Sequence, residues 1–172
     1  MSSFWKRAPK GRRLGAGSAS QPDDAAAAEY AAVALLARRD FASQELAGKL
    51  RERGYEAVVI ATLVAQLQES GALDDERFAG HFVAYHAGRG QGPTRISREL
   101  GDLGVTHALI DAAVAAGPDW QALAREVRRR RFGPEAPQDW AEKSRQSRFL
   151  QYRGFSNDHI RHAVGPDPDF DP

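Results

Sequence analysis

Three stretches of this chain spell one pattern at intervals of fifty residues: Leu50-Arg51-Glu52-Arg53-Gly54-Tyr55, Leu100-Gly101-Asp102-Leu103-Gly104-Val105 and Leu150-Gln151-Tyr152-Arg153-Gly154-Phe155. The register continues through Ile60, Ile110 and Ile160, then through Val64, Val114 and Val164. A fixed period of this length marks an array of one supersecondary unit. An array offers a long surface, and long surfaces bind polymers and filaments more readily than they enclose a reaction.

The apolar spacing inside each unit is helical. Leu46 and Leu50 lie one turn apart, and Ile60, Leu63, Val64 and Leu67 form a second such line. A glycine just past a helix takes a left-handed conformation that costs other residues about 1 kcal/mol. Gly54, Gly104 and Gly154 are therefore expected to end the second helix of each unit, with Tyr55, Val105 and Phe155 folding back on its last turn. The next column reads Glu56, Thr106 and Ser156; the two hydroxyls can accept bonds from the free amides of a third helix. The expected fold is all-α, with nine helices in three tandem three-helix, helix-turn-helix-like repeats at 25–72, 73–116 and 119–164. Gly117-Pro118 marks the last boundary, and the third unit has an enlarged first loop at 132–137. Residues 1–24, basic and then rich in Gly, Ser and Ala, read as a disordered arm, and 165–172 as an irregular acidic tail.

The net charge of +1 hides an uneven distribution. Residues 1–22 hold five bases and no acid, 119–164 hold ten bases against six acids, and the tail holds only Asp167, Asp169 and Asp171. Basic ends fit an anionic partner. There is no cysteine, which rules out disulfides and thiolate metal sites and suits a reducing cytoplasm. No apolar run is long enough to cross a bilayer or to form a signal core.

Three polar clusters are candidates for chemistry. Asp74-Asp75-Glu76 reads as helix capping, since consecutive helical side chains diverge and do not converge on a metal. Gly88-Arg89-Gly90-Gln91-Gly92-Pro93-Thr94-Arg95 is a glycine-rich loop opening a helix at Pro93. It lacks the Lys-Ser/Thr of a nucleotide-binding loop. It reads either as a plain linker or as an anion contact, with bare amides and with Arg89, Arg95 and Arg98 around them. The segment Arg125 to Phe132 reads either as a solvated helix face or as a nucleic-acid or acidic-partner footprint carried by Arg128, Arg129, Arg130 and Arg131. Arg145, Arg148 and Arg153 add charge in the next helix, while Trp120, Phe132, Trp140 and Phe149 are expected in the core. His159 and His162 have no further ligands nearby, and no nucleophile–base arrangement is present. The expectation is a non-enzyme without metal or cofactor.

Four blocks, in this order and spacing, resemble the RecX family, regulators of the RecA recombinase. They are Ser43 to Leu50 with Gly54, Gly71 to Ala79, Gly90 to Leu100 with Gly104, and Phe149 to Phe155 with Ile160. The resemblance covers about residues 28–164. It implies an extended, curved array that binds the RecA–DNA filament along its groove. It also implies inhibition of ATP hydrolysis, strand exchange and SOS repressor cleavage, and hence modulation of recombination and DNA repair. It further implies weak contact with single-stranded or duplex DNA, without strong sequence preference; the chain itself is expected to be a cytoplasmic monomer. The loop with Arg89, Arg95 and Arg98 matches the family's second-unit motif. Relatives carry a basic residue near His86 and an aromatic near Gln91, and this chain departs from both. The rival readings are a helix-turn-helix-like DNA-binding regulator and a general helical adaptor. Against the former, Val105 to Ala116 contains no Lys or Arg to read base edges.

Overall fold

The computed structural model describes residues 22–165; the expectations for the basic arm before 22 and for the acidic tail from 166 lie outside the described residues. Among these, nine helices run α1 (Pro22–Leu36), α2 (Ser43–Glu52), α3 (Ala57–Glu69), α4 (Asp75–Gly88), α5 (Pro93–Asp102), α6 (His107–Ala115), α7 (Trp120–Phe132), α8 (Trp140–Tyr152) and α9 (Asn157–Val164). The first begins ahead of its expected start at Ala25.

The fifty-residue register explains the packing. Leu50, Leu100 and Leu150 are each fully buried, and Ile60, Ile110 and Ile160 are buried opposite them. Each triplet member sits in a different apolar cluster, and each cluster is the core of one three-helix unit. Removing any one of these leucines to Ala costs about 2–5 kcal/mol on general experience with core truncation. The extensively packed helix pairs all fall within a unit: α1–α3, α4–α6 and α7–α9.

The repeated glycine does what its position demands. Gly54, Gly104 and Gly154 have φ of 92°, 84° and 90°. At each, two backbone bonds close the helix end. Gly54, Gly104 and Gly154 amides donate to Arg51, Gly101 and Gln151, each at 2.9 Å. Tyr55, Val105 and Phe155 amides donate to Leu50, Leu100 and Leu150, at 3.4, 3.1 and 3.1 Å. This pair of bonds satisfies carbonyls that the helix leaves open. The helix starts that follow are less uniform than the column suggests. Ser156 caps α9 by accepting from the His159 amide, whereas Thr106 stands at the cap of α6 without a side-chain bond.

The units join through one repeated contact: the start of the second helix of one unit rests on the glycine turn of the next. At the first joint Gln44 lies against Gly104, where a Cβ would fall 2.4 Å from Gln44 Cβ. Asp75 Oδ1 accepts from the Ser43 amide at 2.7 Å, and His81 Nδ1 lies 3.1 Å from Asp40 Oδ2. At the second joint the contact is backbone on backbone. The Gly92 amide donates to the Arg153 carbonyl at 2.8 Å and the Thr94 amide to the Gly154 carbonyl at 3.1 Å. The N-terminus of α5 thus meets the C-terminal turn of α8, so opposite ends of two helix dipoles face each other. Leu123 of α7 packs against both the second and the third core.

Candidate functional site

This second joint changes the reading of the glycine-rich loop. Of the amides expected to be bare at the start of α5, those of Gly92 and Thr94 are engaged by the carbonyls of Arg153 and Gly154, and Pro93 has none to offer. The loop is part of the joint between the second and third units. His86 Nδ1 and Gln91 Oε1 pair with each other across it at 2.7 Å. The His86 ring stacks on Phe82 with centroids 4.0 Å apart.

The seven arginines singled out from the sequence have separate fates. Arg95 is half-buried, its Nε donating to Glu99 Oε1 at 2.7 Å, and its Cβ packs against Gly154. Its charge is compensated and its stem belongs to the joint. Arg98 is exposed on α5 and makes no hydrogen bond or ion pair among the described residues. Arg129 and Arg130 share the Glu126 carboxylate, Arg130 Nε donating to Oε1 at 2.7 Å. The Arg130 bond, with the charges of both guanidinia, holds the Glu126 carboxyl below its ordinary range.

Arg128 leaves the candidate surface altogether. It is only 6% exposed, and its guanidinium donates to the carbonyls of Glu135, Gly133 and Pro134 at 2.7, 3.2 and 3.1 Å and to Gln146 Oε1 at 3.2 Å. The enlarged loop after α7 needs donors for its inward carbonyls, and a fork of N–H groups supplies them. A run of four arginines looks uniform in sequence, but a helix turns one of them inward beside Val127. The aromatic expectation also needs one correction. Trp120, Phe132 and Phe149 are partly buried, but Trp140 is 62% exposed at the start of α8.

Three of the remaining arginines, Arg89, Arg130 and Arg131, converge with Arg153. A groove of about 280 Å³ runs along the second joint, lined by Arg89, Val127, Arg130, Arg131, Phe149 and Arg153 with the backbone of Gly88 and Gly90, and no carboxylate lines it. It unites the two basic segments that lie some forty residues apart in sequence. Arg89 lies 5.2 Å from the Tyr85 ring centroid and donates to the Tyr85 hydroxyl. Arg131 lies 5.8 Å from the Phe132 ring and Arg153 5.3 Å from the Phe149 ring. Arg153, counted in sequence only as added charge, proves central: Nη1 donates to the Arg89 carbonyl at 3.1 Å and ties the two units across the groove. The signal that could have found it is its place beside Gly154, in the turn on which the preceding unit rests.

Among the described residues no three His, Asp or Glu side chains gather as a metal would need. No helix among them is long and apolar enough to cross a membrane. The third helices α3 and α6 carry no Lys or Arg, so the unit's helix-turn-helix outline presents no basic reading helix there.

Comparison with known proteins follows the three units. Residues 28–67, 74–114 and 119–164 match, in order, the first, second and third three-helix domains of RecX. The chain is 45% identical over 150 residues to the regulatory protein RecX of Halorhodospira halophila, covering 87% of this chain and 90% of that protein. It is 43% identical over 143 residues to the regulatory protein RecX of Stenotrophomonas maltophilia strain K279a, covering 80% and 85%. The crystal structure of RecX from Lactobacillus salivarius superposes with a TM-score of 0.74 over 84% of this chain and 96% of that one, at 19% identity, which speaks to the fold.

Proposed function

The chain belongs to the RecX family of regulatory proteins, and from that premise we propose that it binds the RecA–DNA filament and restrains it, lowering ATP hydrolysis, strand exchange and SOS repressor cleavage. It acts as a cytoplasmic monomer that also touches DNA without sequence preference. The observation that carries this reading is the second joint. Two units with separate cores are locked backbone to backbone, and a basic groove lined by no carboxylate lies on the lock. A stiff segment laid across neighbouring protomers stabilises one filament geometry over others, and each step that needs protomers to move slows in proportion. Arg89, Arg98, Arg129, Arg130 and Arg131 are the proposed contacts; Arg95 and Arg128 serve the array itself.

The test is RecA ATP hydrolysis on single-stranded DNA with and without the protein. The intact protein lowers the rate. A variant with Arg89, Arg130 and Arg131 changed to Ala, with helicity retained, lowers it less. Inhibition also weakens as salt rises, because the arginines lie at the surface, where charge is screened within about 10 Å at ordinary ionic strength. An ATPase rate unchanged by the intact protein overturns the reading.

A further inference from the structure

We propose that Asp167, Asp169 and Asp171 of the acidic tail seat in the groove between α7 and α9, on Arg125 and Arg129, and there compete with an external polyanion for the arginines of α7. The docking stands on the geometry of the third unit. Its consequence rests on the functional reading above, in which those arginines meet an anionic partner.

The groove comes first. It offers about 300 Å³ and is lined by Ala122, Arg125, Glu126, Arg128, Arg129 and Ala163. Its positive charge exceeds its negative. Glu126, the one acid of α7, is shared by Arg129 and Arg130. Asp158, the one acid of α9, meets Arg161, His162 and Gln121. Arg125 is exposed and has no hydrogen bond or ion pair among the described residues. Asp119 feels its charge, but Asp119 Oδ1 accepts from the Gln121 and Ala122 amides.

The exit of the chain is the second observation. Gln121 Nε2 donates to Asp158 Oδ2 at 3.2 Å, so α9 starts beside the start of α7. Ala163, near its other end, lines the groove with Arg125 and Arg129. The helix α9 has 8 residues and α7 has 13, so the chain leaves α9 alongside the arginines of α7. Gly165, at φ 85°, ends α9, and Pro166 cannot prolong it. An extended chain from Gly165 to Asp171 spans about 20 Å. The rise of a helix from Arg125 to Arg131 is about 9 Å, well within that reach.

Spacing is the third. Alternate side chains of an extended segment share one side and stand about 6.6 Å apart. The three aspartates alternate. Arg125 and Arg129 share one side of α7 about 6 Å apart along its axis. An edge of carboxylates therefore matches an edge of guanidinia. Pro166 and Pro168 narrow the freedom of the unseated segment, which lessens the entropy lost on seating. Each exposed pair is worth little alone, so the segment seats reversibly and yields to a stronger polyanion.

The chain lacks cysteine, so Pro172→Cys takes a single nitroxide label for amide NMR of the full chain. The label broadens the amides of Ala122, Arg125 and Arg129. High salt relieves the broadening, and so does Asp167→Asn/Asp169→Asn/Asp171→Asn. Broadening that survives these changes, or that centres on Arg89 and Gly90, overturns the docking. Broadening of an isotope-labelled chain by a separate nitroxide-bearing chain makes a second copy the occupant and overturns seating within one chain. Competition is read by anisotropy of a labelled oligothymidylate. A tail seated about 70–90% of the time leaves few chains competent, so the triple Asn variant binds about 3- to 10-fold tighter. The variant Glu69→Gln/Asp102→Asn/Asp111→Asn, an equal charge loss on the first two units, gains less. Equal gains overturn competition in favour of a general charge effect, and so does an oligonucleotide that neither chain binds. Docking and competition without any effect on RecA overturn the functional reading and leave this inference standing.

Discussion

Three glycines separate backbone strain from steric blockage at the second joint. Gly54 has φ 92° and open space where a Cβ would stand. Gly54→Ala therefore carries only left-handed strain, about 1–2 kcal/mol. Gly92 has φ −88°, which any residue adopts. Its Cβ, however, would fall 2.4 Å from the Gly154 carbonyl and the Phe155 nitrogen. Backbone does not give way, so the joint must open. Opening forfeits two amide–carbonyl bonds of about 0.5–1.5 kcal/mol each, so Gly92→Ala costs about 1–3 kcal/mol. The clash costs no more than the joint is worth, because the units can part while their cores persist. Gly154→Ala combines the two effects. It has φ 90°, and its Cβ would meet Arg95 Cβ at 2.2 Å. Its cost is about 2–5 kcal/mol. The double variant Gly92→Ala/Gly154→Ala costs no more than Gly154→Ala alone, since both substitutions open one joint. Urea unfolding followed by far-ultraviolet circular dichroism gives the free energies, and small-angle X-ray scattering reports the change in dimensions. A Gly92→Ala protein as stable as the intact chain, or a double variant that loses the full total of its parts, refutes the reasoning.

Arg128→Ala lowers stability by about 3 kcal/mol, because it strands the carbonyls of the loop after α7, while Arg131→Ala stays within about 0.5 kcal/mol; thermal unfolding distinguishes them. Asp74→Ala removes the acceptor of the Arg77 amide at 2.9 Å and costs about 1 kcal/mol, seen as a lowered urea midpoint. The carboxyls of Asp119, Glu126 and Glu142 are all held below their ordinary range: Asp119 by the Ala122 amide, Glu126 by Arg130, Glu142 by Gln146 and then Arg145. A depressed folded value means that their contribution is complete above the unfolded carboxylate range and fades as pH falls through the folded one. Stability therefore declines below about pH 4, and Asp119→Asn flattens that decline in an acid titration followed by circular dichroism.

The repeat made the cores legible, because Leu50, Leu100 and Leu150 occupy one position in one fold and burial follows from period alone. The glycine turns were legible for the same reason: a left-handed residue past a helix has one chemical solution. The site was legible only in part. Arg89 and the arginines of α7 were visible as charge, but their meeting depends on which unit rests on which turn, and no local spacing encodes that. Arg128 misled because four consecutive arginines cannot share one face of a helix. Asp74 and Asp75 looked interchangeable in sequence. In the fold Asp74 caps its own helix and Asp75 reaches back to the Ser43 amide.

The two joints differ in kind, and the difference bears on restraint. Ala42 stands at the first joint where Gly92 stands at the second, each at the cap of its unit's second helix. Ala42 sends its methyl into the neighbouring core, while Gly92 has none and lets two backbones touch. The first joint otherwise holds through side chains, and the Asp40–His81 contact is exposed, a class of interaction worth about 0–1 kcal/mol. Side chains can rotate as units tilt; amide–carbonyl bonds cannot lengthen far without breaking. Bending is therefore cheaper between the first and second units than between the second and third. A protein that restrains its target by resisting motion has to grip with its stiffer part, and the basic groove lies on that part. The more compliant first unit is then free to adjust to the next protomer after the stiff segment has seated.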